Sequence, residues 1–126
     1  MNKRVLLVED NQVNRYLASY LLAQAGHDVE EVDNGALAIE AAHRRPPDLI
    51  LMDIQMPVMD GFEATRRLKA DPRLRHVPIV ALSAHNMPQD RARSLAAGCD
   101  DHIGKPIDVA TFLDRLRPYL RGGAGA

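Results

Sequence analysis

Residues 49–53 read LILMD, a continuous apolar run that ends on a carboxylate. An unbroken run of this length is typical of a strand covered on both faces, as in a parallel sheet. Similar runs, VLLV at residues 5–8 and IVAL at residues 79–82, are also bounded by polar or turn-forming residues. Weaker strand patterns occur at residues 28–32 and 101–104, and we predict that these two form the edges of the sheet.

Segments of helical periodicity separate the strands, at residues 35–44, 62–70 and about 88–97 and in two further helices near the ends of the chain. The segment at 88–97 begins with proline and ends before Gly98, as helices commonly do. We predict that it is weakly anchored, because its apolar positions are small or few. The predicted apolar faces are Val13, Tyr16, Leu17, Tyr20 and Leu21 in the first helix, Ala92, Leu95 and Ala96 in the fourth, and Val109, Phe112, Leu113, Leu116 and Leu120 in the last.

Five strands thus alternate with five helices along the chain. This order predicts an α/β fold with a doubly wound parallel sheet, right-handed crossovers and helices on both faces. The most apolar strands belong in the centre, which gives the flavodoxin-like strand order 2-1-3-4-5. In such sheets ligands bind at the carboxyl ends of the strands, near the point where the strand order reverses.

The composition fits one globular domain. The chain has 126 residues, of which 16 are basic and 17 acidic, without a run of like charge. We therefore expect neither nucleic-acid binding nor membrane insertion, and we expect a cytoplasmic protein. The predicted domain covers residues 1–121, followed by a flexible glycine-rich tail at 122–126. The single cysteine, Cys99, is interpreted as a buried apolar residue.

Polar residues follow four of the predicted strands: Glu9 and Asp10, then Asp53, Ser83 and Lys105. Because the carboxyl ends of parallel strands share one edge, these side chains should converge. Crowded carboxylates repel one another unless a cation compensates, and oxygen ligands of this kind suit Mg²⁺. A phosphoryl group beside the metal would find an ammonium and a hydroxyl to bind it. We therefore predict that Asp53 is a nucleophile toward phosphorus.

Several of these residues also have a structural interpretation. A Glu-Asp-Asn run after a strand is commonly a helix N-cap, with Asn11 as the candidate cap; Glu9 and Asp10 are redundant for that role, which favours metal binding. Asp53 taken alone could cap a turn, and Asp60-Gly61 is interpreted as a turn and helix start without a chemical role. Lys105 precedes Pro106, and a cis bond there would direct the lysine inward.

The chain resembles a response-regulator receiver domain of the CheY-like family of two-component signalling. The resemblance extends from Lys3 to Leu120 and rests on VEDN at 8–11, MDIQMPVMDG at 52–61, ALSAH at 81–85 and GKP at 104–106. Each motif alone is modest evidence for this family. The four motifs in this order, at the ends of the predicted strands, are highly specific for it.

The resemblance implies that Asp53 accepts a phosphoryl group from a phosphohistidine on a sensor histidine kinase or histidine phosphotransfer protein. Ser83 and Lys105 would then bind the phosphoryl oxygens. Gln55 and His85 would influence the lifetime of the acyl phosphate. The implied Mg²⁺ ligands are Glu9, Asp10, Asp53 and the main-chain carbonyl of Gln55.

The resemblance also implies a switch in which Ser83 moves toward the phosphoryl group and the residue at position 102 turns inward. The family usually has Tyr or Phe at this position, whereas this chain has His102. A histidine titrates near neutral pH, so we expect the coupling to depend on pH. The signal would leave through the fourth helix, fifth strand and last helix to a downstream protein target.

Alternative functions remain at this point. The chain could be a stand-alone regulator, which a start at Met1 favours, or a receiver domain excised from a hybrid histidine kinase. A haloacid-dehalogenase-type phosphatase would need a second aspartate where Gln55 lies, and a flavodoxin-like electron carrier would not place Glu9-Asp10 at its phosphate loop. A pseudo-receiver that is never phosphorylated is a further alternative. We expect a signalling protein, not an enzyme for external substrates.

Overall fold

The computed structural model describes residues 3–54, 59–85 and 87–120, and within them the chain forms five strands and five helices. The predicted tail at 122–126 and Gln55 lie outside the described residues. In chain order the elements are β1 (Arg4–Val8), α1 (Gln12–Gln24), β2 (Asp28–Val32), α2 (Gly35–Arg44), β3 (Leu49–Asp53), α3 (Gly61–Ala70), β4 (Ile79–Ser83), α4 (Pro88–Ala97), β5 (Asp101–Gly104) and α5 (Phe112–Leu120).

The sheet is parallel with the order β2-β1-β3-β4-β5, which confirms the predicted fold. Successive side chains of a strand point to opposite faces, and here both faces are apolar. Leu6, Val8 and Met52 belong to one hydrophobic core, whereas Leu7 and Leu51 belong to the other. This double burial explains why the central strands are continuous apolar runs and not alternating ones.

The strand register aligns the carboxyl ends of the strands, where the predicted site residues lie. Met52 pairs with Val8, and the following residue, Asp53, pairs with Leu82. Ser83 in turn lies opposite Gly104. The residues at or just after these positions therefore lie side by side at the carboxyl edge of the sheet.

The predicted face of α1 was wrong in part. Val13 is 75% exposed and Tyr16 is 71% exposed, whereas Ala18 and Leu22 are completely buried. Leu17 and Leu21 are only partly buried, and they pack against the hydrophobic core on that side of the sheet. The pattern of large apolar residues missed the face because the small Ala18 lets the helix pack closely on the sheet. The rings of Tyr16 and Tyr20 instead stack on each other, with centroids 6.2 Å apart.

The predicted faces of α4 and α5 also need correction. Ala92, Leu95 and Ala96 are exposed, and the buried residues of α4 are Ser94 and Ala97. A buried serine escapes a search for apolar periodicity, although its hydroxyl can be satisfied by a hydrogen bond. In α5, Phe112 and Leu116 are buried as predicted, while the exposed Val109 precedes the helix.

The helix ends follow local sequence signals. The Asn11 side chain accepts a hydrogen bond from the Asn14 amide at 3.0 Å, and Asp60 accepts one from the Glu63 amide at 2.9 Å. Both residues therefore act as N-caps, as predicted for Asn11, and Asp60 lies at a helix start, as predicted for Asp60-Gly61. Cys99 is 5% exposed, which confirms its burial. No helix in the described part of the chain has the length and apolar character needed to span a bilayer.

Gly98 ends α4 in a backbone conformation that favours glycine, with φ of 113°. Replacing Gly98 with alanine should lower the free energy of unfolding by roughly 1–2 kcal/mol, the usual cost of a left-handed conformation for a residue with a Cβ atom. Gly98→Asn should cost less, because asparagine tolerates this conformation better. Urea denaturation of the three proteins measures the difference, and equal costs for alanine and asparagine would contradict the explanation.

Candidate functional site

An acidic cluster lies at the carboxyl edge of the sheet. Glu9 and Asp10 follow β1, and Asp53 is the last residue of β3. Each contributes a carboxylate oxygen, and these atoms all lie within 4.8 Å of one another. Glu9 is completely buried and Asp53 is 1% exposed, whereas Asp10 is exposed to solvent. The cluster is therefore a buried pair of carboxylates with a third one at its solvent side.

Lys105 supplies the cation that faces this pair. Its Nζ atom lies 3.1 Å from Asp53 Oδ1 and 3.3 Å from Glu9 Oε1. The lysine follows β5, and the Lys105–Pro106 peptide bond is cis. One ammonium opposes the carboxylates of Glu9, Asp10 and Asp53, so the cluster retains excess negative charge when all three are ionised.

The surroundings of Asp53 raise its pKa from 3.8 to about 7. Burial is the main cause, and the neighbouring Glu9 carboxyl adds to it, whereas Lys105 acts in the opposite direction. Without a further cation, Asp53 therefore loses its proton only near neutral pH. A cation bound at the cluster would favour the ionised form.

The donor set suits a hard divalent cation. All the ligand atoms are carboxylate oxygens, and the exposed Asp10 side leaves access for water and for a phosphate, which is how Mg²⁺ is commonly held. Glu9 has a second role, because its Oε2 atom accepts a hydrogen bond from the Asn11 amide at 3.1 Å. The capping and metal-binding interpretations of the acidic run are thus compatible. The fourth predicted ligand, Gln55, lies outside the described residues.

Ser83 and His85 lie beside the cluster, at the end of β4 and in the loop after it. Ser83 is 2% exposed, and its Oγ atom accepts a hydrogen bond from the His85 amide at 2.9 Å. The His85 residue is itself exposed. Behind this loop is a cavity of about 150 Å³, whose lining includes Phe62, Ser83, His85, Asp90, Arg93, Ser94 and His102.

His102 lies on β5 and is buried against α4. Its Nδ1 atom lies 2.8 Å from Ser94 Oγ, and its Nε2 atom lies 3.2 Å from the His85 carbonyl oxygen. Burial is the main reason why the pKa of His102 is lowered from 6.5, and the Arg91 guanidinium contributes further. The lowered pKa favours the neutral imidazole. The sequence identified His102 but gave no indication of its partner Ser94.

Gly61 has a contact that the sequence interpretation missed. A Cβ atom at Gly61 would lie 2.5 Å from the Asp53 carbonyl oxygen and 2.8 Å from Ile54 Cα. The Gly61 amide also donates a hydrogen bond to the Ile54 carbonyl at 3.1 Å. Asp60-Gly61 starts α3, as predicted, but the glycine also lets the helix start touch the backbone of the acidic cluster. A glycine at a helical position, where propensity disfavours it, was the available signal.

Comparison with known proteins identifies what the chain is similar to. The family model of the response regulator receiver domain matches residues 5–117. The polar-differentiation response regulator DivK of Brucella anthropi is 42% identical over 120 residues, which cover 95% of this chain and 98% of that protein.

Solved structures agree with this similarity. The receiver domain of a sensor histidine kinase from Pseudomonas aeruginosa is 39% identical with a TM-score of 0.87, and the match covers 94% of this chain and 98% of that one. That structure has a magnesium ion coordinated in its active-site cleft. The chemotaxis protein CheY4 of Vibrio cholerae is 30% identical with a TM-score of 0.89, covering 95% of this chain and all of that one (100%).

The raised pKa of Asp53 predicts a pH-dependent effect of Asp53→Asn. The folded protein keeps the Asp53 proton up to about pH 7, whereas the unfolded chain loses it near 3.8, so this group lowers stability as the pH rises through that range. Without divalent metal, Asp53→Asn should raise the free energy of unfolding by roughly 1–3 kcal/mol at pH 8 and by much less at pH 5. Urea titrations at both pH values measure this.

The control is Asp60→Asn, which changes an exposed aspartate and retains an N-cap residue. Its effect should be small and equal at the two pH values. Equal effects of Asp53→Asn at pH 5 and pH 8 would show that the Asp53 carboxyl is not held protonated by its surroundings.

The contact at Gly61 predicts that Gly61→Ala disturbs the acidic cluster. Overpacking should lower stability by about 1–3 kcal/mol, and displacement of the Asp53 backbone should weaken Mg²⁺ binding by about tenfold. Calorimetric Mg²⁺ titration tests this.

Gly35→Ala is the matched control for Gly61→Ala. Gly35 also starts a helix, but a Cβ atom there would lie 2.9 Å from the Met59 carbonyl oxygen and not against Asp53. Both variants should lose stability, and only Gly61→Ala should lose Mg²⁺ affinity. An equal loss of affinity in the two would contradict a specific effect on the cluster.

Proposed function

We propose that this chain, which belongs to the response regulator receiver domain family, accepts a phosphoryl group on Asp53. The observation that carries the proposal is the burial of the Asp53 carboxylate between Glu9 and Lys105, with Asp10 at the solvent side. Among the carboxylates of the cluster, Asp53 is the one at the end of the central strand β3 and within 3.1 Å of the lysine.

In the proposed reaction, an Asp53 carboxylate oxygen attacks the phosphorus of a phosphohistidine. The new O–P bond forms while the N–P bond breaks, and the donor imidazole leaves with the electron pair of that bond. Glu9, Asp10 and Asp53 would hold Mg²⁺, which, when bound, neutralises the negative charge of the carboxylates and of the transferred group.

Lys105 and Ser83 would then bind the phosphoryl oxygens. Lys105 already lies against Asp53. Its ammonium group can therefore exchange its contact with the carboxylate for one with a phosphoryl oxygen after little movement. Ser83 is adjacent in the sheet, because Leu82 is the register partner of Asp53. Phosphorylation adds about −1.5 to −2 units of charge at pH 7, which gives both groups a new and stronger partner.

We propose a sensor histidine kinase or histidine phosphotransfer protein as the donor and a downstream protein as the target. DivK is a response regulator, and the relative from Pseudomonas aeruginosa is the receiver domain of a sensor histidine kinase. Both kinds of protein would use the same carboxylate chemistry, so the proposal holds for a regulator and for a kinase-borne receiver. The extent of the domain, residues 1–121, and the cytoplasmic location stay predictions from the sequence.

Intact-mass analysis after incubation with acetyl phosphate tests the proposal. We expect a gain of one phosphoryl group that requires Mg²⁺ in the wild-type protein and in Asp60→Asn, which retains an exposed cap residue. Asp53→Asn should gain none, because an amide oxygen is not a nucleophile of comparable strength.

Addition of a phosphoryl group to Asp53→Asn at the wild-type rate would assign the reaction to another residue. If the wild-type protein gains none from acetyl phosphate, incubation with a phosphorylated histidine phosphotransfer domain is the second measurement. Failure with both donors would refute the proposal and support a receiver that acts without phosphorylation.

A further inference from the structure

The helix α4 is tied to β5 by a buried hydrogen bond. Ser94 Oγ lies 2.8 Å from His102 Nδ1, and the two residues are 0% and 1% exposed. The rest of the buried face of α4 is the small Ala97, which is 8% exposed. A polar contact therefore takes the place that a large apolar side chain would have in most helix–sheet contacts.

The second nitrogen of the same ring reaches the loop after β4. His102 Nε2 lies 3.2 Å from the carbonyl oxygen of His85, and the amide of His85 donates to Ser83 Oγ at 2.9 Å. A continuous path of hydrogen bonds thus runs from Ser83, at the acidic cluster, through His85 and His102 to Ser94 on α4.

The chemistry of the partners fixes the proton positions in this path. A carbonyl oxygen only accepts, so Nε2 carries the hydrogen and donates to His85. In the neutral ring Nδ1 then accepts, and the Ser94 hydroxyl donates to it. The alternative acceptor of that hydroxyl, the Asp90 carbonyl oxygen, is farther away at 3.3 Å.

Charged groups from each neighbouring element face His102. Arg91 and Asp90 come from α4, Asp101 from β5 and Arg115 from α5. The Arg91 and Arg115 guanidinium groups both donate to the His102 carbonyl oxygen, at 3.1 Å and 2.9 Å. The backbone of His102 is therefore held in place, and the ring is the part that can respond to the loop.

The path depends on a ring with two nitrogen atoms. A phenylalanine at this position has no polar atom, and a tyrosine has a single hydroxyl at the end of its ring. Neither can contact a serine on α4 and a loop carbonyl in the way that the two edges of an imidazole do here.

We propose that Ser94 is a positioning residue that holds α4 through His102 and makes the helix follow the movement of the Ser83 loop. The inference rests on the proposed phosphorylation of Asp53, which would draw Ser83 toward the acidic cluster. Displacement of the His85 carbonyl would then move His102 through its Nε2 contact, and the ring would pass the change to Ser94 and α4.

Amide-resolved NMR of Ser94→Ala tests the proposal. Loss of one buried hydrogen bond should speed hydrogen exchange in α4 by about threefold to tenfold. Ser94→Thr, which retains a hydroxyl, should restore slow exchange. Ser19→Ala, the same change in α1, is the control. Unchanged exchange in α4 of Ser94→Ala would overturn the anchoring role.

The second readout is the response to beryllium trifluoride with Mg²⁺, a stable mimic of a phosphoryl group. In the wild-type protein and Ser94→Thr, chemical-shift changes should extend from Ser83 and His85 to residues 91–97. In Ser94→Ala they should stay at the loop and fall by more than half in α4. An α4 response equal to that of the wild type would overturn the coupling role.

These experiments separate the two proposals. If the wild-type protein binds no beryllium trifluoride and gains no phosphoryl group, the proposed function fails and the proposed coupling fails with it. Two measurements need no phosphorylation and still decide whether the Ser94–His102 hydrogen bond anchors the helix. They are hydrogen exchange in α4 and the ¹⁵N chemical shifts of the His102 ring, which report which nitrogen carries the proton. A wild-type ring protonated on Nδ1 and not on Nε2 at pH 8 would contradict the proposed hydrogen-bond direction.

Discussion

The burial of the Glu9 and Asp53 carboxylates at one edge of the sheet is the constraint on which the rest of the site depends. Two such groups repel each other in a poorly solvated place, and each loses hydration there. Lys105 compensates part of this cost through its contacts with both. The repulsion and lost hydration that Lys105 does not compensate raise the affinity of Asp53 for a proton. They also favour the binding of a divalent cation.

This edge is built from contacts that are distant in the chain. The apolar cores on both faces of the sheet fix the strands, and the strands fix the register of the residues that follow them. Gly61 adds a close contact between α3 and the Asp53 backbone. Large movements of the cluster itself would disturb this packing, so a change in charge is more easily transmitted through the loop after β4, whose Ser83 is linked to His85 by a hydrogen bond.

The anchoring of α4 differs from that of its neighbour α3. Buried residues of α3 include Ala64 and Leu68, whereas α4 buries Ser94 and Ala97. Full burial of a leucine contributes about 1.5–3 kcal/mol, and a hydrogen bond contributes about 0.5–1.5 kcal/mol net. The buried contacts of α4 are therefore small or polar, and the residues that the pattern placed on its buried face are exposed. Its weak anchoring stays a prediction.

The sequence by itself determined the fold and the composition of the acidic cluster, because double burial makes the central strands continuous apolar runs and a parallel sheet brings their carboxyl ends together. Local signals such as Asn11 and Asp60 likewise determined helix starts. Only the tertiary structure decided which face of α1 and α4 is buried, the approach of Gly61 to Asp53 and the bridge from His102 to Ser94. These depend on the packing of elements distant in sequence, where small or polar residues are buried through contacts that no local pattern encodes.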